Sequence, residues 1–142
     1  MKSAAWKVAT LIVTLGLLML SASAQATSYS SSQFDSFFAK FKYSVMGADT
    51  YTLQNLMSPS FDYMGANNSS PSDVFKGLQG GNGWDNLQSA VQRKVFVDQE
   101  YDGKPARVLR CTPDSRTNTC YIVFQTDSSG HWKWSAMVMP EK

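Results

Sequence analysis

The chain has 142 residues, 43% of them hydrophobic, with two cysteines and one histidine. That is enough for one buried core, and too little Cys and His for a cysteine- or histidine-rich metal centre. The formal charge of +2 comes from Lys2 and Lys7; beyond them eleven basic and eleven acidic side chains balance, and no basic run exceeds Arg93-Lys94. A nucleic-acid partner, which calls for a concentrated basic face, is thereby excluded.

The chain opens "MKSAAWKVATLIVTLGLLMLSASAQA". Two lysines lead into an apolar run from Val8 to Leu20, and small residues follow it. Ala22-Ser23-Ala24 and Ala24-Gln25-Ala26 both fit the small-x-small pattern of signal-peptide cleavage. A membrane-spanning helix needs about 20 apolar residues, and this run has thirteen. Residues 1–26 are therefore expected to be a cleaved signal peptide, cut after Ala24 or Ala26, leaving no stable membrane anchor. Residues 27–142 then form a single exported domain, periplasmic by expectation, with the extracellular space as the alternative.

In "SSQFDSFFAKFKYSV", Phe34, Phe37, Phe38, Phe41 and Val45 recur at helical spacing behind Ser31 or Ser32 as N-cap, and Gly47 closes the helix. This stripe is expected to pack on the concave face of a sheet. A second short helix starts at Asp49, turns Leu53, Leu56 and Met57 inward, and stops at Pro59. "SFDYM" reads as a short strand and "GANNSS" as a loop. In "SSPSDVFKGLQGG", Ser70 caps, Pro71 takes the first helical position and Asp73 the third, close to a capping box, with Gly80 and Gly81 ending the helix. "NGWDNLQSAVQ" is one more helical stretch, with Trp84, Leu87 and Val91 on one face.

From Arg93 the composition turns β-rich. "RKVFVDQEY", "ARVLRC", "TCYIVFQT" and "HWKWSAMVM" are strand-length runs separated by "DGKP", "TPDSRTN" and "DSSG". Short connections imply an antiparallel meander. In the last run, strict alternation would point Trp132, Trp134, Ala136 and Val138 one way, and His131, Lys133, Ser135 and Met137 the other. Cys111 and Cys120 flank the turn between the second and third runs, with eight residues between them. That spacing suits neither C-x-x-C redox chemistry nor a zinc site, and in an oxidising compartment it predicts a disulfide across the base of a hairpin.

Helices followed by a curved antiparallel meander give an α+β fold. The order of long helix, short helix ending "LMSPSF", short strand, capped helix "SPSDVFKGL" and long meander resembles the nuclear-transport-factor-two-like superfamily. That is the cone-like roll shared with ketosteroid isomerase and scytalone dehydratase. With "WKWSAMV" and the paired cysteines, the chain also resembles small exported proteobacterial proteins of unassigned function. A small SH3-like barrel with added helices is the competing architecture.

The resemblance implies a ligand pocket at the open end of the cone, where enzymes of the superfamily place an acidic base or a histidine. The candidates here are Asp98, Tyr101 and Asp62, with Tyr51 on the second helix. Alternation sets Asp62 and Tyr63 on opposite faces, and of the two acids Asp98 is the better general base. Asp49 and Asp73 fall at helix starts, and Asp102, Asp114 and Asp127 in turns, where each has a structural role. His131 follows "DSSG" and is expected at a turn edge. No Ser-His-Asp order, Gly-rich phosphate loop or metal-ligand spacing occurs, so no cofactor and no metal is expected.

The sequence thus reads as a non-catalytic exported binding protein. Its partner is an unknown protein, as for an inhibitor or immunity protein of a cell-envelope enzyme, or a small apolar ligand. An isomerase- or dehydratase-type enzyme using the cone pocket is the alternative. An apolar carrier is the third reading, with Phe38, Trp84, Trp132 and Trp134 as its binding candidates. An enclosed apolar cavity of roughly 300–1,000 Å³ would favour the carrier, and convergent polar groups in a cavity the enzyme.

Overall fold

The computed structural model describes residues 32–111 and 120–138. The signal-peptide segment and the turn between the cysteines lie outside the described residues. The chain divides into two compact units, Met1–Ser36 and Phe37–Lys142. Of the first unit only residues 32–36 are described; they open a helix, α1, that runs over 32–46, and Phe34 is buried there.

The second unit continues α1 and adds α2 (Thr50–Leu56), β1 (Met57–Tyr63), α3 (Pro71–Gln79), α4 (Gly83–Arg93), β2 (Phe96–Tyr101), β3 (Lys104–Arg110), β4 (Tyr121–Thr126) and β5 (Trp132–Val138). The fold is α+β, with four helices and one five-stranded sheet of order β1-β5-β4-β3-β2 among the described residues. Strands β2 to β5 form the expected antiparallel meander. Strand β1 joins it in parallel beside β5, so the sheet is mixed.

The helix starts obey their local chemistry. The Asp49 carboxylate accepts from the Thr52 N–H and hydroxyl at 3.1 and 2.6 Å, which lowers its pKa from the ordinary value. Ser70 Oγ accepts from the Asp73 N–H at 3.2 Å with Pro71 next to the cap. Two boundaries differ from expectation. Helix α2 ends at Leu56, and Met57 and Pro59 belong to β1, an edge strand where the missing N–H of proline is tolerated. Arg93 ends α4, and Lys94 takes the left-handed conformation that stops it (φ 55°), so β2 starts only at Phe96.

Between α3 and α4 the chain passes close to itself. A Cβ on Gly83 would lie 2.8 Å from Leu78 Cα and 3.0 Å from the Leu78 carbonyl oxygen, both backbone atoms. Helix propensity alone favours Ala over Gly by about 1 kcal/mol. The clash reverses the sign: Gly83→Ala should destabilise by about 1–3 kcal/mol, the usual range for overpacking. A urea midpoint at or above that of the wild type would refute the close approach.

The aromatic stripe of α1 makes the core. Phe41 sets its ring edge-on to Phe124 (centroids 4.9 Å apart) and Trp134 (5.2 Å), and Phe38 meets Phe96 at 4.9 Å. Phe61 of β1 reaches the other side of Trp134 at 4.8 Å. Edge-to-face pairs of this kind add about 0.5–1.5 kcal/mol each beyond their buried area.

The opposite face of the sheet is lined by small residues. Ala106, Val108, Val123 and Ala136 are buried there, with Tyr101, Tyr121 and Val138 packed against them. Curvature explains the size limit. Strands β1 and β2 are the two edges, about 19 Å apart in a flat sheet, yet the Tyr101 hydroxyl donates to Asp62 Oδ2 at 2.5 Å. The sheet curls toward this face until one side chain bridges its edges. The α1 rings therefore pack on the face turned away from the bridge, and not on the inner, concave one that the stripe was expected to cover.

Strict alternation fails in β5. The register shifts between the pairs Val123↔Ala136 and Phe124↔Trp134, which makes Ser135 an extra residue. Trp132 and Trp134 face the helices with Met137, while Lys133, Ala136 and Val138 face inward. The Trp134 indole N–H donates across the bulge to the Ala136 carbonyl at 3.2 Å, so no polar atom of the ring is stranded in the core.

Candidate functional site

Where the sheet curls, its inner face opens into a cleft of about 710 Å³. One wall is β1. Its two-residue period sends Phe61 and Tyr63 toward the helices and Ser58, Ser60 and Asp62 into the cleft. Asn67 and Asn68 follow on the next loop. The other wall comes from the bottom of the meander: Tyr101, Asp102 and Lys104 around the β2–β3 turn, Gln125, Thr126, Asp127 and Ser128 around the β4–β5 turn, and Lys133 and Ser135 on β5.

Both turns have a local cause. Asp102 and Gly103 have φ of 51° and 73°, the positive pair that a two-residue hairpin demands and that Asp-Gly supplies. The Asp127 carboxylate accepts from the Ser129 and His131 N–H groups at 2.9 Å each, and these bonds, His131 first, hold its pKa below the ordinary carboxylate value. His131 itself is exposed at the turn edge, as expected, with Nδ1 3.9 Å from Asp127.

The Asp62–Tyr101 pair is the chemical centre of the cleft. Burial, then the hydrogen bond to Asp62, push the Tyr101 phenol well above its ordinary pKa. The phenol therefore stays protonated at neutral pH and acts as a donor. Gln125 fixes its backbone by donating from Nε2 to the Tyr101 carbonyl at 2.8 Å. The second carboxylate oxygen, Asp62 Oδ1, is enclosed and has no hydrogen-bond partner. An enclosed carboxylate oxygen without a donor costs about 1–3 kcal/mol or more.

The sequence candidates divide cleanly. Asp62 and Tyr101 come together. Asp98, preferred as the base, lies across from Arg107 in the β2–β3 ladder and forms a surface ion pair with it (3.1 Å), its side chain 71% exposed. An exposed pair of that kind contributes about 0–1 kcal/mol and shapes no pocket. Tyr51 is exposed. Phe38 and Trp134 are core residues; Trp84 is half-buried, parallel to the Phe75 ring (centroids 6.2 Å apart), and Trp132 is half-buried. None of these four lines the cleft.

Sequence reasoning missed Ser58, Ser60, Gln125 and Lys133. The signal was the period-two alternation in "MSPSFDY", hidden by ending the second helix at Pro59 in place of Leu56. Among the described residues no group of three or more His, Cys, Asp or Glu side chains could hold a metal ion, and no helix is long and apolar enough to cross a membrane. The Cys111–Cys120 disulfide is present. The chain matches no protein-family model, no curated protein and no solved structure.

Proposed function

We propose that the protein is an exported, non-catalytic binding protein that holds a small polar ligand in the cleft between β1 and the two meander turns. One observation carries this reading: the cleft is lined by hydroxyl, carboxamide, carboxylate and ammonium groups, while of the aromatic carrier candidates Phe38 and Trp134 are core residues and the half-buried Trp84 and Trp132 lie outside the cleft. The disulfide is in keeping with export to an oxidising compartment such as the periplasm. The element order resembles that of the nuclear-transport-factor-two-like cone, but helices on the outer face of a curled sheet favour the alternative, a small SH3-like barrel with added helices.

The test is a screen of polar small molecules against the 15N-labelled domain. A ligand should shift the side-chain amides of Asn67, Asn68 and Gln125 saturably and raise the melting temperature. Shifts confined to surfaces away from the cleft would refute the reading.

A second reading rests on the Asp62–Tyr101 pair, since a carboxylate beside a protonated tyrosine is a workable acid–base couple. Deuterium exchange into a panel of ketones, present in the wild type and lost in Asp62→Asn, would make the protein an enzyme. Absence of exchange above the buffer rate is the expected result.

A further inference from the structure

We infer that the ligand of this cleft is a neutral, hydroxyl-rich molecule of the oligosaccharide class, an inference that rests on the binding reading above. The lining excludes other chemistries in turn. Pro59 and the tyrosine ring are its main apolar surfaces, so an acyl chain or steroid would strand the polar wall without partners. Phosphate and polyamine ligands each need a surplus of one charge, whereas the cleft holds three carboxylates and two ammonium groups.

Most of that charge is already engaged. Tyr101 donates to Asp62, the β4–β5 turn binds Asp127, and Lys133 Nζ donates to the Asn55 carbonyl at 3.3 Å. Asp102 and Lys104 remain, of opposite sign and beside one turn. What the cleft presents in quantity is groups that give and take hydrogen bonds at once: the carboxamides of Asn67 and Asn68 and the hydroxyls of Ser58 and Ser60, which share one bond at 3.3 Å. Gln125 adds Oε1 as an acceptor, its Nε2 being held by the Tyr101 carbonyl. A sugar hydroxyl is both donor and acceptor, and pairs with such groups bond for bond.

Size points the same way. A cleft of about 710 Å³ has room for a disaccharide and is generous for a single pyranose ring. Asp62 shapes the wall behind Ser58 and Ser60: Oδ2 accepts from the Tyr101 hydroxyl and Oδ1 is enclosed, so the ligand's contacts fall to the exposed groups around it.

The experiment titrates the 15N-labelled domain with four probes: maltose, N,N′-diacetylchitobiose, dialanine and inorganic phosphate. The expected result is saturable shifts at Asn67, Asn68 and Gln125 with at least one disaccharide and none with phosphate. For that disaccharide, Asn67→Ala should weaken binding roughly threefold to tenfold, the scale of one net hydrogen bond. Shifts at those amides with dialanine or phosphate and with neither sugar would overturn the saccharide class and leave the cleft as a binding site. Silence of the cleft toward both sugars, in protein whose spectrum shows it folded, also overturns the inference. The mapping uses the wild type, so misfolding of the variant cannot mask either outcome.

Discussion

Phe41→Ala is expected to destabilise the protein by about 3–5 kcal/mol, the range for emptying a buried phenylalanine site. Phe41 is fully enclosed, and its ring meets Phe37, Phe38, Phe124 and Trp134. Removing it strips contacts from β4, β5 and α1 together, and the surrounding rings are too stiff to collapse into the gap. Phe38→Ala should fall at the lower end of that range. Its ring is 4% exposed and its far side carries the Lys94 ammonium, 5.7 Å from the ring centroid. Denaturant unfolding followed by tryptophan fluorescence measures both, since Trp134 lies beside Phe41. A loss below ~1 kcal/mol for Phe41→Ala would mean that the stripe does not pack on the sheet.

The stripe was legible because an α-helix repeats its buried face through local geometry. Phe34, Phe37, Phe38, Phe41 and Val45 needed no knowledge of what they touch; four are buried and Phe37, at the rim of the stripe, is half-buried. The caps at Asp49 and Ser70 were legible for the same reason, their partners lying three residues away. The face of the sheet that the stripe meets was not legible. It depends on which way five strands curl, and curl is set by twist, bulges and packing distributed over the whole sheet.

The site divides along the same line. Asp62 and Tyr101 could be named as candidates from residue type. Their pairing could not, because they lie 39 residues apart on opposite edges and meet only through curvature. Asp98 is a candidate base in the sequence because it shares a strand face with Phe96 and Glu100 and has no cap or turn role. The antiparallel register set Arg107 opposite it and turned a candidate base into half of a surface ion pair. In β5, one bulged residue undid the alternation and sent Trp134 and Ala136 to different faces. Bulges leave no composition signature as strong as a helix cap, so an error of this kind is expected wherever period two is extended through one.

Reducing the disulfide, or replacing both cysteines by alanine, should cost about 2.7 kcal/mol through the lost constraint on the unfolded chain. For a domain of this size that corresponds to a fall in melting temperature of roughly 10 °C. Cys111 and Cys120 sit just past the last rung of the β3–β4 ladder, Arg110↔Tyr121, and the Cys111 N–H donates to the Cys120 carbonyl at 2.9 Å. The bridge thus holds the end of the hairpin where α4 also attaches, through the Arg93 guanidinium donating to the Cys111 carbonyl. Lys104 and Gln125 lie at the other end of the same two strands, in the cleft. Stability and ligand binding should therefore separate. Below its melting temperature the reduced protein should bind its ligand with unchanged affinity, while calorimetry records the lower transition. A loss under ~1 kcal/mol would show that the hairpin ladder is sufficient without the bridge. A loss of binding in folded, reduced protein would show instead that the two ends of the hairpin are mechanically coupled. The cystine would then be part of the binding apparatus as well as its staple.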